Sequence, residues 1–424
     1  METNAAALYL IQELQAQILP DAIQFAITLS PIMLAVVLCW IMSDVWMRYI
    51  RADFYNSLKY SVLELRLPKD TFKSPLAMES VLTALHNTAD GSPYARYWKG
   101  EYRPYYSLEL ISIEGQVKFI IWCEERRMLS VLAPLYAQFP GIEVTERDDY
   151  ARSVHFDPET MKVWAADFKL TKPDLYPIKT YVDYGLEKDP KEEFRVDPLV
   201  PVIEFLGSVG PNQQVWIQFI IRAHKDDQKD PEKFFGKADL WKRSALKEVN
   251  KILVRDAKTK ITGWDPKTKT SQFVAVSKGE QDAAAAIERS LSKPAFDVGI
   301  RTLYIAKKDI FNTPFGIGGL IAAFKQFSSE SLNGLKQDGD TYIAKFAGVP
   351  WEDYKGFRRN RESRNAIAAY KRRSYFYPPF TGKIMVLNIE ELATLYHFPG
   401  SVAATPGLER VPSKKAEAPA NLPV

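Results

Sequence analysis

Residues Ala22 to Met42 (AIQFAITLSPIMLAVVLCWIM) run for 21 positions without a charged side chain. Wound as a helix at ~1.5 Å per residue, such a run reaches ~30 Å, the thickness of a bilayer's hydrocarbon core. Gln24, Thr28 and Ser30 are tolerable within it, and Pro31 at most kinks it. Trp40, Trp46 and Tyr49 stand where an interfacial aromatic belt belongs, and Arg48 and Arg51 follow directly. No Lys or Arg occurs from Met1 to Met47, so all 56 basic residues lie after it, and the positive-inside bias places the C-terminal body in the cytoplasm. The sequence therefore predicts an extracytoplasmic tail over 1–21 and a transmembrane helix over 22–46, single-pass in the cell (inner) membrane with the N-terminus outside. A cleaved signal peptide would need a basic n-region, a shorter apolar stretch and a small-residue cleavage site, and none is read here. Ala5 to Leu19 is helix-prone, ends at Pro20 and suits the outer membrane surface.

Beyond the anchor, 25% charged and 46% hydrophobic residues are ordinary globular values, which excludes a disordered, collagen-like or multi-span chain. Cys39, Cys123, His86, His155, His224 and His397 are too scattered for a disulfide framework or a CxxC zinc site. Ser61 to Leu67 alternates as a half-buried strand, and Ser74-Pro75 opens a helix through about Asn87. Tyr105 to Ile113 and Gln116 to Cys123 join at Glu114-Gly115 as a hairpin. Glu124 to Phe139 reads as a helix stopped by Pro140-Gly141 before a strand, Ile142 to Glu146. This βαββαβ order predicts a ferredoxin-like unit over 58–150, an antiparallel sheet with two helices on one face.

The pattern recurs, which predicts an α+β chain of two tandem ferredoxin-like units. FKSPLAMESVLTAL finds a counterpart in FRVDPLVPVIEFL, with Asp197-Pro198 in place of Ser74-Pro75, and Tyr105 to Ile113 corresponds to Gln214 to Arg222. Helix Gln281 to Leu291 leads to Phe296 to Ala306 as the earlier helix leads to Ile142. The first strand of this second unit, 151–310, is Lys162 to Leu170 or Ile178 to Tyr184. An insertion, Lys225 to Lys278, holds fourteen Lys/Arg against eight acids. It reads either as a charged surface excursion or as a patch for nucleic acid or anionic lipid, with a helix over Asp239 to Leu253 setting Trp241, Leu246, Val249 and Leu253 on one side.

A helical basic segment, 311–382, precedes the final strand, capped helix and Pro-rich linker of 383–424. In it Lys355, Arg358, Arg359, Arg361, Arg364, Lys371, Arg372 and Arg373 face only Glu362, with Tyr354, Phe357 and Tyr370 interleaved. Arginines of this kind grip phosphates while aromatics pack beneath them or stack on bases; a solvated helix with packing aromatics is the equal alternative.

Catalytic patterns are missing from the sequence. There is no P-loop spacing, and Gly316-Ile317-Gly318-Gly319 lacks the Lys; no H-E-x-x-H and no G-x-S-x-G occur. Asp148-Asp149, Asp226-Asp227 and Glu390-Glu391 read as solvated charge or caps, with Asn388 and Glu391 at capping-box spacing. The chain is expected to be non-enzymatic, with no cofactor and no metal.

Lys383 to Leu387 predicts a strand, followed by a helix over Ile389 to Tyr396, His397-Phe398-Pro399-Gly400 and the linker LERVPSKKAEAPANLPV. With KSPLAMESVLTALH, VDPLVPVIEFLGSVGPNQQVWIQFII and VLNIEELATLYHFPG, the chain from about Leu63 resembles the membrane-anchored N-terminal module found ahead of HerA/FtsK-like motors, the bacterial type IV secretion and conjugative DNA-transfer ATPases. In such relatives the linker leads into a strand and a Walker A loop, whereas this sequence stops at Val424. The resemblance implies a non-catalytic adaptor whose partners are the lipid bilayer, a cytoplasmic HerA/FtsK-like ATPase in trans, DNA and further copies of the chain. It carries over no active-site residue, and His397 is expected to pack or cap a helix end. The rival reading is a membrane-bound nucleic-acid-binding protein acting through helix 354–373.

Overall fold

A computed structural model describes residues 19–68, 73–187, 196–226, 228–229, 236–253, 277–346, 351, 353–400, 407–408 and 410–411. The helix expected from Ala5, the Lys-rich stretch 254–276 and most of the C-terminal linker lie outside the described residues. The chain divides into two compact units, one formed by residues up to Ser57 with Asp90–Tyr102, the other by Leu58–Ala89 and everything from Arg103.

In the first unit, the apolar run lies in a single helix, α1 (Leu19–Ser57), which is 39 residues long and contains Pro31. It continues well past the expected end at 46. Thr28 and Ser30 return their hydroxyls to the carbonyls of Gln24 and Ile27, at 2.8 and 2.7 Å, so neither presents an unmet polar group. Phe25, Leu34, Leu38 and Trp40 are exposed, and the helix is long and apolar enough to cross a membrane. Pro93–Trp98 forms a second, short helix, capped by Ser92, whose hydroxyl accepts from the Ala95 amide at 3.2 Å.

The second unit is α+β and built on an antiparallel sheet. Strand β1 (Tyr60–Pro68) is buried on both faces, not one, because Val62 and Glu64 are covered as well as Leu63, Leu65 and Leu67. Helix α2 (Leu76–Leu85) begins one residue later than its sequence signal: Ser74 donates instead to the Leu186 carbonyl at 2.9 Å, and the N-cap position falls to Pro75. Strands β2 (Tyr105–Ile113) and β3 (Gln116–Glu124) join at Glu114-Gly115. Both turn residues have positive φ, +53° and +86°, as a two-residue hairpin requires. Helix α3 (Met128–Gln138) is shorter than expected, because Glu125–Arg127 form a tighter turn and Glu124 still belongs to β3. Strand β4 (Glu143–Arg147) follows.

The second half repeats the order with a longer path. Strand β5 (Met161–Leu170) settles the two candidates for its first strand, since Ile178 to Tyr184 runs through turns. Helix α4 (Val200–Gly207) and strand β6 (Gln213–Ala223) come next, then α5 (Leu240–Ile252) and α6 (Lys278–Leu291), whose Ala245, Val249, Ala284 and Ile287 form a small core of their own. In α5, Ala245 takes the buried place expected for Leu246, which is exposed. Strand β7 (Ala295–Lys307), helix α7 (Leu320–Phe324), strand β8 (Leu335–Gln337), helix α8 (Phe357–Lys371), strand β9 (Met385–Asn388) and helix α9 (Ile389–Leu395) follow.

Among the described residues the sheet has ten strands, and its main path runs β8–β5–β7–β6–β2–β3–β1, with β4 on β1, β9 on β7 and a two-residue strand, β10 (Arg410–Val411), parallel to the end of β1. The first four strands are ordered β4–β1–β3–β2 and the second four β8–β5–β7–β6, each pairing antiparallel. The expected correspondence of Phe296 to Ala306 with Ile142 to Glu146 is therefore corrected: β7 lies between β5 and β6 as β3 lies between β1 and β2. The 54-residue insertion ahead of β7 conceals this in the sequence. The halves meet where β2 pairs with β6, the two segments that correspond in sequence, and Glu109 opposite Gln218 is the middle of that nine-pair ladder.

One face of the sheet is apolar. Leu108, Phe119, Ile121, Ile217, Phe219 and Ile300 share a cluster with side chains of α2, α3, α4, α7 and α9. The opposite face carries a polar row at one register: Glu109 on β2, Gln218 on β6, Arg301 on β7 and Asp167 on β5.

Candidate functional site

Helix α8, the core of the expected basic segment, lies against the polar face. Its start is set by Asp353, whose carboxylate accepts from the amides of Arg358 and Arg359 at 2.8 and 3.2 Å, because Gly356 at the N-cap is left-handed and has no side chain to offer. Ala366, Ile367, Ala369 and Tyr370 are buried. The Tyr370 hydroxyl meets that of Tyr150 at 2.7 Å, and Tyr150 in turn donates to Glu109 at 2.8 Å.

Arg373, just past the helix, has no exposed side-chain surface and is therefore removed from the expected nucleic-acid-binding set. It donates from Nε and Nη2 to the two Glu109 oxygens at 3.0 and 3.2 Å and from Nη2 to Asp149 at 3.0 Å. Burial favours the neutral guanidine, but the two carboxylates outweigh it and hold Arg373 charged. Asp149, expected to be solvated or a cap, is a cap for the Ala151 amide at 3.1 Å and also this buried partner. Along the row, Gln218 donates to Glu109 at 3.0 Å, and Arg301 reaches the Ser374 carbonyl at 3.1 Å. Burial pushes the Asp167 carboxyl up to about 6, with Arg301 at 3.3 Å acting against that shift.

The remaining basic residues separate by face. Lys355, Arg358, Arg361, Arg364 and Arg372 are exposed, whereas Arg359 and Lys371 are half-buried. Arg359 donates to the Phe346 carbonyl at 3.2 Å and Lys371 to the Val154 carbonyl at 2.6 Å, so both act as fasteners. Tyr370 is a packing residue, while Phe357 is exposed. Arg358, Arg361 and Arg364 follow at three-residue spacing on the outer side. Arg358 and Arg361 line a shallow groove of about 430 Å³ with Lys345, Phe346 and Glu362. Lys345 lies ahead of the basic run 354–373 and pairs with Glu362 at 3.2 Å.

A second basic groove, about 450 Å³, is lined by Lys169, Lys172, Lys336 and Lys383. Sequence reasoning missed it because its residues come from three distant stretches. Lys169 is engaged by Asp338 at 2.6 Å and Lys172 by the Glu330 carbonyl at 2.6 Å, which leaves Lys336 and Lys383 facing the groove.

The expected capping box is present: Asn388 accepts from the Glu391 amide and Glu391 from the Asn388 amide, both at 2.9 Å. The pair Glu390-Glu391 is buried rather than solvated, and burial pushes Glu391 up to about 8. His397 is buried at the end of α9, with its ring nitrogens on the Ala393 carbonyl at 2.9 Å and the Asp197 carboxylate at 3.1 Å. Among the described residues no group of three His, Cys, Asp or Glu is placed to hold a metal ion.

Compared with known families, residues 55–409 match the model described as a domain of unknown function (DUF8128). The chain belongs to that family. No curated protein matches it. The DUF8128 match begins in the last turn of α1 and takes in the whole path of the sheet from β1 to β9, together with α8.

Proposed function

We propose that this protein is a membrane-tethered, non-catalytic adaptor of a type IV secretion-like or conjugative DNA-transfer machine, and that its two four-stranded halves are tandem ferredoxin-like units. In this reading α1 spans the inner membrane with its N-terminus outside, and the α+β body docks a cytoplasmic HerA/FtsK-like ATPase, with further copies of the chain available to match a ring motor. The observation that carries it concerns the three blocks that resemble motor-associated modules. Although spread from residue 73 to 400, they meet in space: α2, α4 and α9 share one apolar cluster, and His397 of the last block bonds to Asp197 of the second. A likeness made of mutually packed residues describes a body, not isolated strings.

The second reading, nucleic-acid binding without a motor, draws on the outer side of α8. There Arg358, Arg361 and Arg364 stand on a helix whose inner side is fixed to the sheet, which supplies a rigid row of phosphate-gripping groups.

One experiment separates the two. The full chain is purified from its native membrane in mild detergent at moderate salt, and its companions are identified by mass spectrometry. A Walker-type ATPase in near-stoichiometric amount is the expected result. Nucleic acid released by raised salt, with no ATPase, sinks the adaptor and leaves the basic helix as the site.

A further inference from the structure

Six large aromatic side chains gather in the first unit, drawn from two separate stretches of sequence: Trp40, Trp46 and Tyr49 of α1, and Tyr94, Tyr97 and Trp98 of the short helix Pro93–Trp98. Tyr49, Tyr94, Tyr97 and Trp98 are 66%, 63%, 53% and 64% exposed. Three open aromatics on a six-residue helix make an apolar patch that water does not favour.

The stretches are joined at one depth. The Trp46 indole N–H donates to the Tyr97 carbonyl at 3.0 Å, and its ring meets Trp98 edge-on at 5.9 Å. Gly100, with φ of +72°, lies so close that a Cβ would stand 2.2 Å from the Ile50 carbonyl oxygen. Trp46 is four residues beyond Met42, where the apolar run ends ahead of Ser43 and Asp44, hence ~6 Å past the hydrocarbon edge at ~1.5 Å per residue. That distance falls within the headgroup layer, which adds ~5–7 Å on each side of the core. Cations complete the chemistry: Arg48 and Arg51 follow on α1, while Arg96 and Lys99 lie 5.9 and 5.8 Å from the rings of Tyr97 and Tyr94.

We infer that helix Pro93–Trp98 is a second membrane-contacting element, which lies in the headgroup layer of an anionic bilayer and forms with Trp46 and Tyr49 an aromatic and basic collar around the end of the anchor. The occupant of this patch is lipid, since tyrosine and tryptophan beside arginine and lysine match an interface in which rings bury their bodies and cations meet phosphates. This inference rests on α1 spanning the membrane.

The test uses the full chain with Cys39→Ser, Cys123 being buried, reconstituted in phosphatidylcholine–phosphatidylglycerol vesicles and labelled with a fluorophore at Tyr94→Cys. Val37→Cys marks the deep position and Glu143→Cys the aqueous one, while Tyr97→Cys repeats the reading at a second collar residue. Lipid spin-labelled near the headgroup is expected to quench positions 94 and 97 at least about threefold more strongly than lipid labelled near the chain end, as an interfacial depth demands. Position 37 is expected to show the reverse order. Iodide quenching at 94 and 97 equal to that at 143, with 37 still quenched by lipid, overturns the collar and leaves the anchor standing. Iodide quenching at 37 overturns both.

Discussion

A guanidinium with no exposed surface keeps its charge only where carboxylates enclose it, and Arg373 has Glu109 and Asp149 on its two edges. Removing one member of such a buried cluster strands the others, at ~3–5 kcal/mol. Arg373→Met is therefore expected to lower the unfolding free energy, read from urea denaturation, by an amount in that range. Arg373→Lys is expected to recover only part of it, since a lysine cannot serve two carboxylates with a planar fork. His397 and Asp197 give a pH signature. Burial opposes charging in each, but the pair outweighs it, raising the histidine and lowering the aspartate. The His397 contribution is full below the unfolded histidine value of ~6.5 and lost as pH rises through its folded value, whereas that of Asp197 is present above ~3.9 and lost as pH falls through its own. Glu391, pushed up to about 8, binds its proton more tightly folded than unfolded, so stability also declines from its ordinary value up to about pH 8. Denaturation midpoints at pH 6 and pH 9 are expected to differ in the native chain and to converge partly in His397→Gln and further when Glu391→Gln is added.

At the scale of the element, α8 has an inner face that fastens it and an outer face that is displayed. The basic run and the aromatics were legible in the sequence as a helix. Which arginine turns inward was not, because the carboxylate that claims Arg373 lies 264 positions away on β2. Triple charge reversal of Arg358, Arg361 and Arg364 to Glu is expected to change the unfolding free energy by no more than ~0.5 kcal/mol per exposed site, with Arg361 adding the loss of its 3.7 Å ion pair with Glu362. If the outer face meets nucleic acid, the same variant loses affinity and its salt slope shrinks by ~3, one for each phosphate contact. The loop after α8 is tighter. The Tyr375 ring stands between Gly299 of β7 and Gly382, where an added Cβ would approach to 2.3 and 2.2 Å. Gly299→Ala is thus expected to cost ~1–3 kcal/mol through overpacking, while Gly318→Ala, which meets nothing within 4 Å, serves as the tolerant control.

Over the whole molecule, the first half could be read almost strand by strand because each strand carries its own local signal and β2 and β3 are joined by a two-residue hairpin. In the second half the local signals for β5, β6 and β7 were equally strong. Their order was hidden because pairing of β7 with both β5 and β6 is a long-range matter that an insertion of 54 residues obscures. Helix α1 is the part of the molecule that composition alone marks as long and apolar enough to cross a membrane, and a spanning α1 has a direct check. Alkaline carbonate treatment of native membranes is expected to leave the chain in the pellet, and recovery in the supernatant would refute a spanning α1.

The seam between β2 and β6 sets two corresponding strands against each other about the pair Glu109 and Gln218. A first half bound to a copy of itself along that edge would oppose Glu109 to a second Glu109, like charges directly across a ladder. A second half doing the same would oppose Gln218 to Gln218 and offer Arg373 no carboxylate at the axis. Only the unlike pairing supplies one acid, one amide and the guanidinium that needs them. The seam thus joins two unlike edges inside one compact unit, and neither edge could stand in for the other without stranding a charge.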